Sequence, residues 1–246
     1  LELDRVGLHT LRFECNTGVK TITLIAPALT LIPGEPHSIS VEEQPGGFAT
    51  GGVPFPIQPQ IFLRDAGGNL VESARPVTVS IHGASPANLG GSTALTSGDN
   101  YGAPLITYSE GALAFTDLNI DMAGVYTLTF TSPGLVSAQT TAFDVVVGPA
   151  YKVGIIEQPG DVQVGLPFGK QPIVQIQDVG GNHVQELEYT VTASINMHSV
   201  RTEILSSLEL RGATIKTSVL GWCNYTKLQI DVSALFCDVI FTSPGL

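Results

Sequence analysis

The sequence predicts an all-β protein: antiparallel β-sandwich domains set in tandem, the first and last of them incomplete. Three observations carry that prediction. Short alternating or β-branched runs such as VTVSI (77–81), VYTLTF (125–130), FDVVV (143–147) and IVQIQ (173–177) are separated by turn sequences, AGGN, VGGN, SPGL and GGS. Long segments recur in one order along the chain. The recurring length, about 110 residues, holds roughly seven short strands, the content of a two-sheet sandwich.

The recurrence sets the domain boundaries. LELDRVGLHTLRF opens the chain at residue 1, LNIDMAGVYTLTF begins at 118 and LQIDVSALFCDVIF at 228. Between them HSISVEEQP (37–45) answers to YKVGIIEQP (151–159), and GVPFPIQPQIFLRDAGGN (52–69) to GLPFGKQPIVQIQDVGGN (165–182). GALAFTDLNID (111–121) answers to GWCNYTKLQID (221–231), and TSPGL at 131–135 returns at 242–246. Residues 1–35 therefore read as the last two strands of one unit, 36–149 as a complete unit, and 150–246 as a unit lacking its last strand. The expected source is a longer polypeptide, or a fibre in which another copy supplies the missing strands.

Within the complete unit, VYTLTF places Tyr126, Leu128 and Phe130 on one face and Thr127 and Thr129 on the other, so the first set should fill the core. Leu113 and Phe115 should also point inward. Prolines stand at strand entries or in loops, where the absent N–H is tolerated. SVRTEILSSLELRG (199–212) also has the spacing of a short helix, but its counterpart in the complete unit is a Gly/Ser-rich loop.

Composition agrees. The 246 residues are 43% apolar and 13% charged, and the 27 glycines and 16 prolines are dispersed, which suits strands joined by turns better than a disordered tract. The net charge of −11 contains no basic stripe, which argues against nucleic acid and against anionic membrane. No run of 18 apolar residues predicts a membrane span, and no secretory leader is visible in a chain that starts with Leu.

Asp121-Met-Ala-Gly124-Val-Tyr126 has the D-x-x-G-x-Y form of a tyrosine corner, which enters strand F of immunoglobulin-like domains and leaves a buried hydroxyl to bond nearby backbone. His9 and Phe236 stand at the equivalent positions, and Leu128 occupies the usual disulfide position. With A-G-x-Y-x-L-x-F-T-S-P-G-L, F-x-V-x-x-G-x-A and Q-P-x-x-x-x-x-D-x-x-G-N, the chain resembles the tandem immunoglobulin-like repeats of large extracellular surface and filament glycoproteins. Flagellar-hair (mastigoneme) proteins of flagellates and algae are among them. It is similar, more loosely, to invasin-type and filamin repeats. The resemblance covers nearly the whole chain and implies a structural or adhesive role without a catalytic site. SALFCDV (233–239) departs from it, lacking the Gly and the Tyr.

Four groups of residues are candidate sites. Cys223 aligns with inward Leu113 on strand E, and Cys237 lies beside the strand F aromatic on the opposite sheet. A Cys223–Cys237 bridge would close a loop of about 15 residues, worth ~3 kcal/mol in the chain-entropy description. It needs a bulge at Phe236 to turn Cys237 inward, and the alternative is two buried free thiols. Cys15 is left over. Asn224-Tyr-Thr226 is a glycosylation sequon expected to face outward, its Asn aligned with Ala114. Asp65 and Asn69, like Asp178 and Asn182, frame D-x-G-G-N segments whose oxygens suit calcium, though the same residues are what a tight turn requires. Trp222 aligns with Ala112 and should point outward, to anchor a partner or to cover a loop.

No cofactor is expected. Zinc spacing, G-x-S-x-G, H-E-x-x-H and phosphate-cradling glycine loops are all missing, and His9, His37, His82, His183 and His198 fall at different repeat positions. The short Pro-containing junctions LIPGEPHS (31–38) and VVVGPAYK (145–152) should couple neighbouring units stiffly.

The expected function is therefore a non-catalytic segment of an extracellular or cell-surface filament, stalk or coat, the flagellar or ciliary surface included. Its partners would be copies of itself, neighbouring repeats or other surface glycoproteins, with no direct membrane insertion. The alternatives are an adhesin module holding a glycan or protein and, behind it, an intracellular filamin-like scaffold. The latter requires reduced cysteines and a bare Asn224.

Overall fold

The computed structural model describes residues 2–73, 75–83, 87–95, 112–197, 209–231 and 237–246. Among these residues the regular structure is all strand, in sheets whose pairings are antiparallel with one exception, and none is helical. Residues 199–208, most of the stretch with helical spacing, lie outside the described residues, as does Phe236.

Two hydrophobic cores organise the chain. Around the first, one sheet runs in the order Ala112–Ala114, Gln60–Arg64, Ser38–Glu43. The other runs Ala94–Leu95, Val77–Gly83, Gly124–Thr131, Phe143–Val146, Ala49–Thr50, with Ala138–Gln139 also pairing on Gly124–Thr131. The pairings are antiparallel except that Phe143–Val146 runs parallel to Ala49–Thr50. Alternation decides what is buried. Ile61 and Leu63 come from one sheet, Val77, Val79, Tyr126, Leu128 and Phe130 from the other, and all enter one cluster with Leu113 and Phe115. Phe143 meets Phe55 edge-on, ring centres 5.4 Å apart.

Around the second core, Lys152–Glu157, Ile173–Gln177 and Trp222–Asn224 form one sheet. Ile215–Thr217, Thr190–Met197 and Cys237–Thr242 form the other. Val174, Ile176, Val191, Cys223, Tyr225 and Leu228 are among its buried members. The Tyr225 hydroxyl donates to the Val191 carbonyl at 2.8 Å and so ties the residue that follows Trp222–Asn224 to a strand of the other sheet. The same irregularity of register recurs in both first strands, between Val41 and Glu43 and between Ile155 and Glu157.

The two assemblies differ at one edge. In the first, the outer edge of Gly124–Thr131 is covered by Phe143–Val146, which in turn holds Ala49–Thr50. In the second, among the described residues, Cys237–Thr242 pairs on one side only, with Thr190–Met197. Val162, at the sequence position of the buried Ala49, is outside any strand and 52% exposed.

Residues 2–35 form two ladders. Gly7–His9 pairs with Leu29–Leu31, and Arg12–Asn16 with Thr21–Ile25. The registers, Gly7 opposite Leu31 and Arg12 opposite Ile25, repeat those of Gly124 opposite Val145 and Thr129 opposite Gln139. Phe13, Ile22, Leu24 and Ile25 stay exposed.

Candidate functional site

The two D-x-G-G-N segments are turns, and each turn fastens one part of the chain to the part before it. In the second, Asp178 is fully buried and its carboxylate is ringed by N–H donors. The Asn182 amide donates to Oδ1 at 2.8 Å, the Asn182 side chain to both oxygens at 3.1 and 3.0 Å, and the linker amide of Gly148 to Oδ2 at 2.9 Å. Asn182 then reaches backward. Its Nδ2 donates to the Asp121 carbonyl at 2.7 Å, and its Oδ1 accepts from the Ala123 amide at 2.8 Å.

The first turn repeats every contact. The Asp65 carboxylate accepts from the amides of Gly67 (3.0 Å), Asn69 (2.8 Å) and linker Gly34 (2.9 Å), and from Asn69 Nδ2. Asn69 Nδ2 donates to the Asp4 carbonyl at 2.6 Å, and its Oδ1 accepts from the Val6 amide at 3.0 Å. Asp4 and Val6 occupy the sequence positions of Asp121 and Ala123.

The glycines explain why the motif cannot vary freely. Gly180 lies against the preceding backbone and donates to the Gly51 carbonyl at 3.1 Å. A Cβ there would overlap the Asp121 carbonyl oxygen and come within 2.8 Å of the Gly51 carbonyl carbon. Gly67 is pressed in the same way on the Asp4 carbonyl. On the receiving side a Cβ at Gly51 would meet the Asp121 carbonyl oxygen at 2.6 Å, and one at Gly52 the Gly180 nitrogen at 2.6 Å. Val164 stands at the position of Gly51 around the second core, and is 52% exposed. These contacts give the four calcium candidates, Asp65, Asn69, Asp178 and Asn182, a different task. Their oxygens are engaged by N–H groups, which leaves no converging set of lone pairs for a cation.

The Gly34 amide and the Asn69 side chain hold the Asp65 carboxyl down at about 2, against its burial. A carboxylate depressed in this way stabilises docking fully above its unfolded value of about 3.9, and the contribution is lost as pH falls through 2. In an acid titration followed by NMR, the Gly34 and Val6 amide resonances are therefore expected to move with a midpoint near 2. A midpoint near 3.9 would show that the turn does not hold Asp65.

Asp121, Gly124 and Tyr126, the residues whose spacing has the form of a tyrosine corner, lie where this docking ends. The Asp121 carboxylate accepts from the Asn88 amide and side chain, both at 2.7 Å, while its carbonyl receives Asn182. Tyr126 is buried with its hydroxyl over Gly124, where a Cβ would lie 2.8 Å from that oxygen.

The expected Cys223–Cys237 bridge requires correction, because Cys223 is a free thiol. It sits in the second core opposite Val174, whereas Cys237 begins a strand of the other sheet opposite Met197. The side chain of Cys237, and the bulge at Phe236 that the bridge requires, lie outside the described residues. Burial pushes the Cys223 thiol pKa up despite the opposing charge of Lys216. Cys15 is free and exposed. Alkylation of the native protein should therefore modify Cys15 readily and Cys223 only after denaturation, read by peptide mass mapping. Equal labelling would mean that the second core is open.

Asn224 of the sequon is exposed on an edge strand, and the intervening Tyr225 is buried. Trp222 is half-buried, not a free outward anchor. Its ring meets His183 at 4.8 Å, and His183 bonds the Leu220 carbonyl at 2.8 Å, so the indole covers its own loop.

Sequence reasoning read the D-x-G-G-N segments as turns but missed what they grip. The available signal was a glycine about thirty residues upstream of each aspartate, Gly34 and Gly148, in matching linkers.

No protein family profile and no curated protein matches the chain. Among solved structures, a β-glucuronidase from glycoside hydrolase family 2 aligns over 91% of this chain and 29% of its own length, with 11% identity and a TM-score of 0.29. So remote a likeness says nothing about activity.

Proposed function

We propose that the chain is a non-catalytic structural segment of a long extracellular or cell-surface protein, in which immunoglobulin-like sandwiches follow one another in tandem and act as stiff links. The observation that carries this reading is the duplicated junction. Two D-x-G-G-N turns make the same linker bond and the same pair of backward bonds, at Asp4 and Val6 and at Asp121 and Ala123. A binding loop has no reason to be duplicated in that role, whereas a joint that fixes the angle between successive bodies does. Cores of this size resist unfolding along the chain, and bonded joints pass orientation from one body to the next.

Residual dipolar couplings measured for amides of both cores test the proposal. One shared alignment tensor is expected, and two independent tensors would mean freely jointed bodies and sink it. Peptide mapping of native material with glycosidase treatment tests the location: sugar on Asn224 supports an extracellular site, and a bare Asn224 with reduced thiols moves the intracellular scaffold to first place.

A further inference from the structure

Phe48 is 94% exposed, the most open aromatic ring among the described residues, and its backbone is left-handed, with φ 62°. A bulky side chain in that region strains the chain. The second core shows that the loop does not need it. Asp161 stands at the same position with φ 53°, and Asp is a residue type that tolerates this conformation. The Phe48 loop is also firmly mounted. Gly46 and Ile57 exchange amide-to-carbonyl bonds, both at 3.1 Å. Gly47, at φ 84°, lies so close behind the tip that a Cβ there would meet the side chains of Pro56 and Ile57 at 3.0 and 3.1 Å. A strained, exposed aromatic on a rigid loop is an anchor already held in its docking pose.

A matching recess lies beside the linker between the two cores. A cavity of about 620 Å³ is lined by Val147 and Pro149 from the linker and by Val184, Leu187 and Tyr189 from the segment after the second D-x-G-G-N turn, with Glu186 beside them. Its size and apolar walls suit a single aromatic ring with room around it. Residues 44–63 contain no charged side chain, so the Phe48 loop brings no carboxylate of its own against Glu186, although each chain carries a net charge of −11.

We propose that Phe48 of one copy of the chain docks in this cavity of a second copy. Knob and socket are separate surfaces, so the contact is heterologous and each copy can both give and receive. The inference rests on the structural reading and deepens it by naming a contact between copies.

Sedimentation of the full chain from low micromolar to millimolar concentration tests it. The wild type is expected to associate, and Phe48→Asp to weaken association by about tenfold or more. That variant installs the residue which the second core already uses at this position, so its melting temperature should not fall. Leu187→Asp, at a side chain 63% exposed, should cause an equal loss from the socket side. An equimolar mixture of the two variants should form pairs and nothing larger, since each supplies the surface that the other lacks. A wild type that stays monomeric at millimolar concentration overturns the proposal, as does undiminished association of either variant or a mixture that stays monomeric. The alignment-tensor experiment on the monomeric Phe48→Asp variant is independent, so failure of this contact and failure of the stiff-joint reading remain distinguishable.

Discussion

Replacing Gly180 by alanine should uncouple the two cores while leaving each folded. The backbone of Gly180 is not in the left-handed region, so alanine fits the local conformation and the effect is purely one of space. The added methyl has no flexible side chain to displace. It meets the Asp121 carbonyl oxygen and the Gly51 carbonyl carbon, both main chain. Overpacking of this kind costs about 1–3 kcal/mol. Besides the linker bond from Gly148 to Asp178, three bonds cross this junction, Gly180 to Gly51, Asn182 to Asp121 and Ala123 to Asn182, each worth about 1 kcal/mol net. The two quantities are comparable, so docking should be lost. The expected readout is two alignment tensors and shifted Ala123 and Gly148 amides, with thermal unfolding of each core little changed. A single retained tensor would show that the joint does not depend on this approach.

A larger loss of stability is expected from Asp178→Ala. The carboxylate is fully buried and takes the Gly148 and Asn182 amides together with the Asn182 side chain. Bonds to a charged acceptor contribute about 1.5–3 kcal/mol each, and removing the acceptor leaves buried N–H groups unsatisfied. Roughly 3 kcal/mol is expected, which for a body of this size lowers the melting temperature on the order of 10–20 °C. Asp178→Asn keeps one oxygen and should lose clearly less. If calorimetry gave the two variants equal and small losses, the carboxylate would not organise the turn.

What the sequence revealed and what it hid divide along physical lines. Burial of Tyr126, Leu128, Phe130, Leu113 and Phe115 was legible because strand alternation is local and the same pattern recurs elsewhere in the chain. The grip of Asn69 and Asn182 was not, because a side-chain bond to a carbonyl about sixty residues away leaves no periodic trace. For Trp222 the sequence left anchoring a partner and covering a loop open, because its counterpart Ala112 is itself buried and the alternation around that strand end is not strict; the structure has the indole on the loop. Cys223 shows another limit. Alignment placed it in the core, but burial alone does not make a disulfide.

The glycine pair at 51 and 52 can also be read as an address. Position 51 admits an incoming D-x-G-G-N turn because it carries no Cβ, and around the second core that position is Val164. A neighbour arriving there in the pose that residues 150–246 adopt would run its turn into the valine side chain. One residue thus tells which bodies accept which successors, so the order of links in a longer array would be written into the joints themselves.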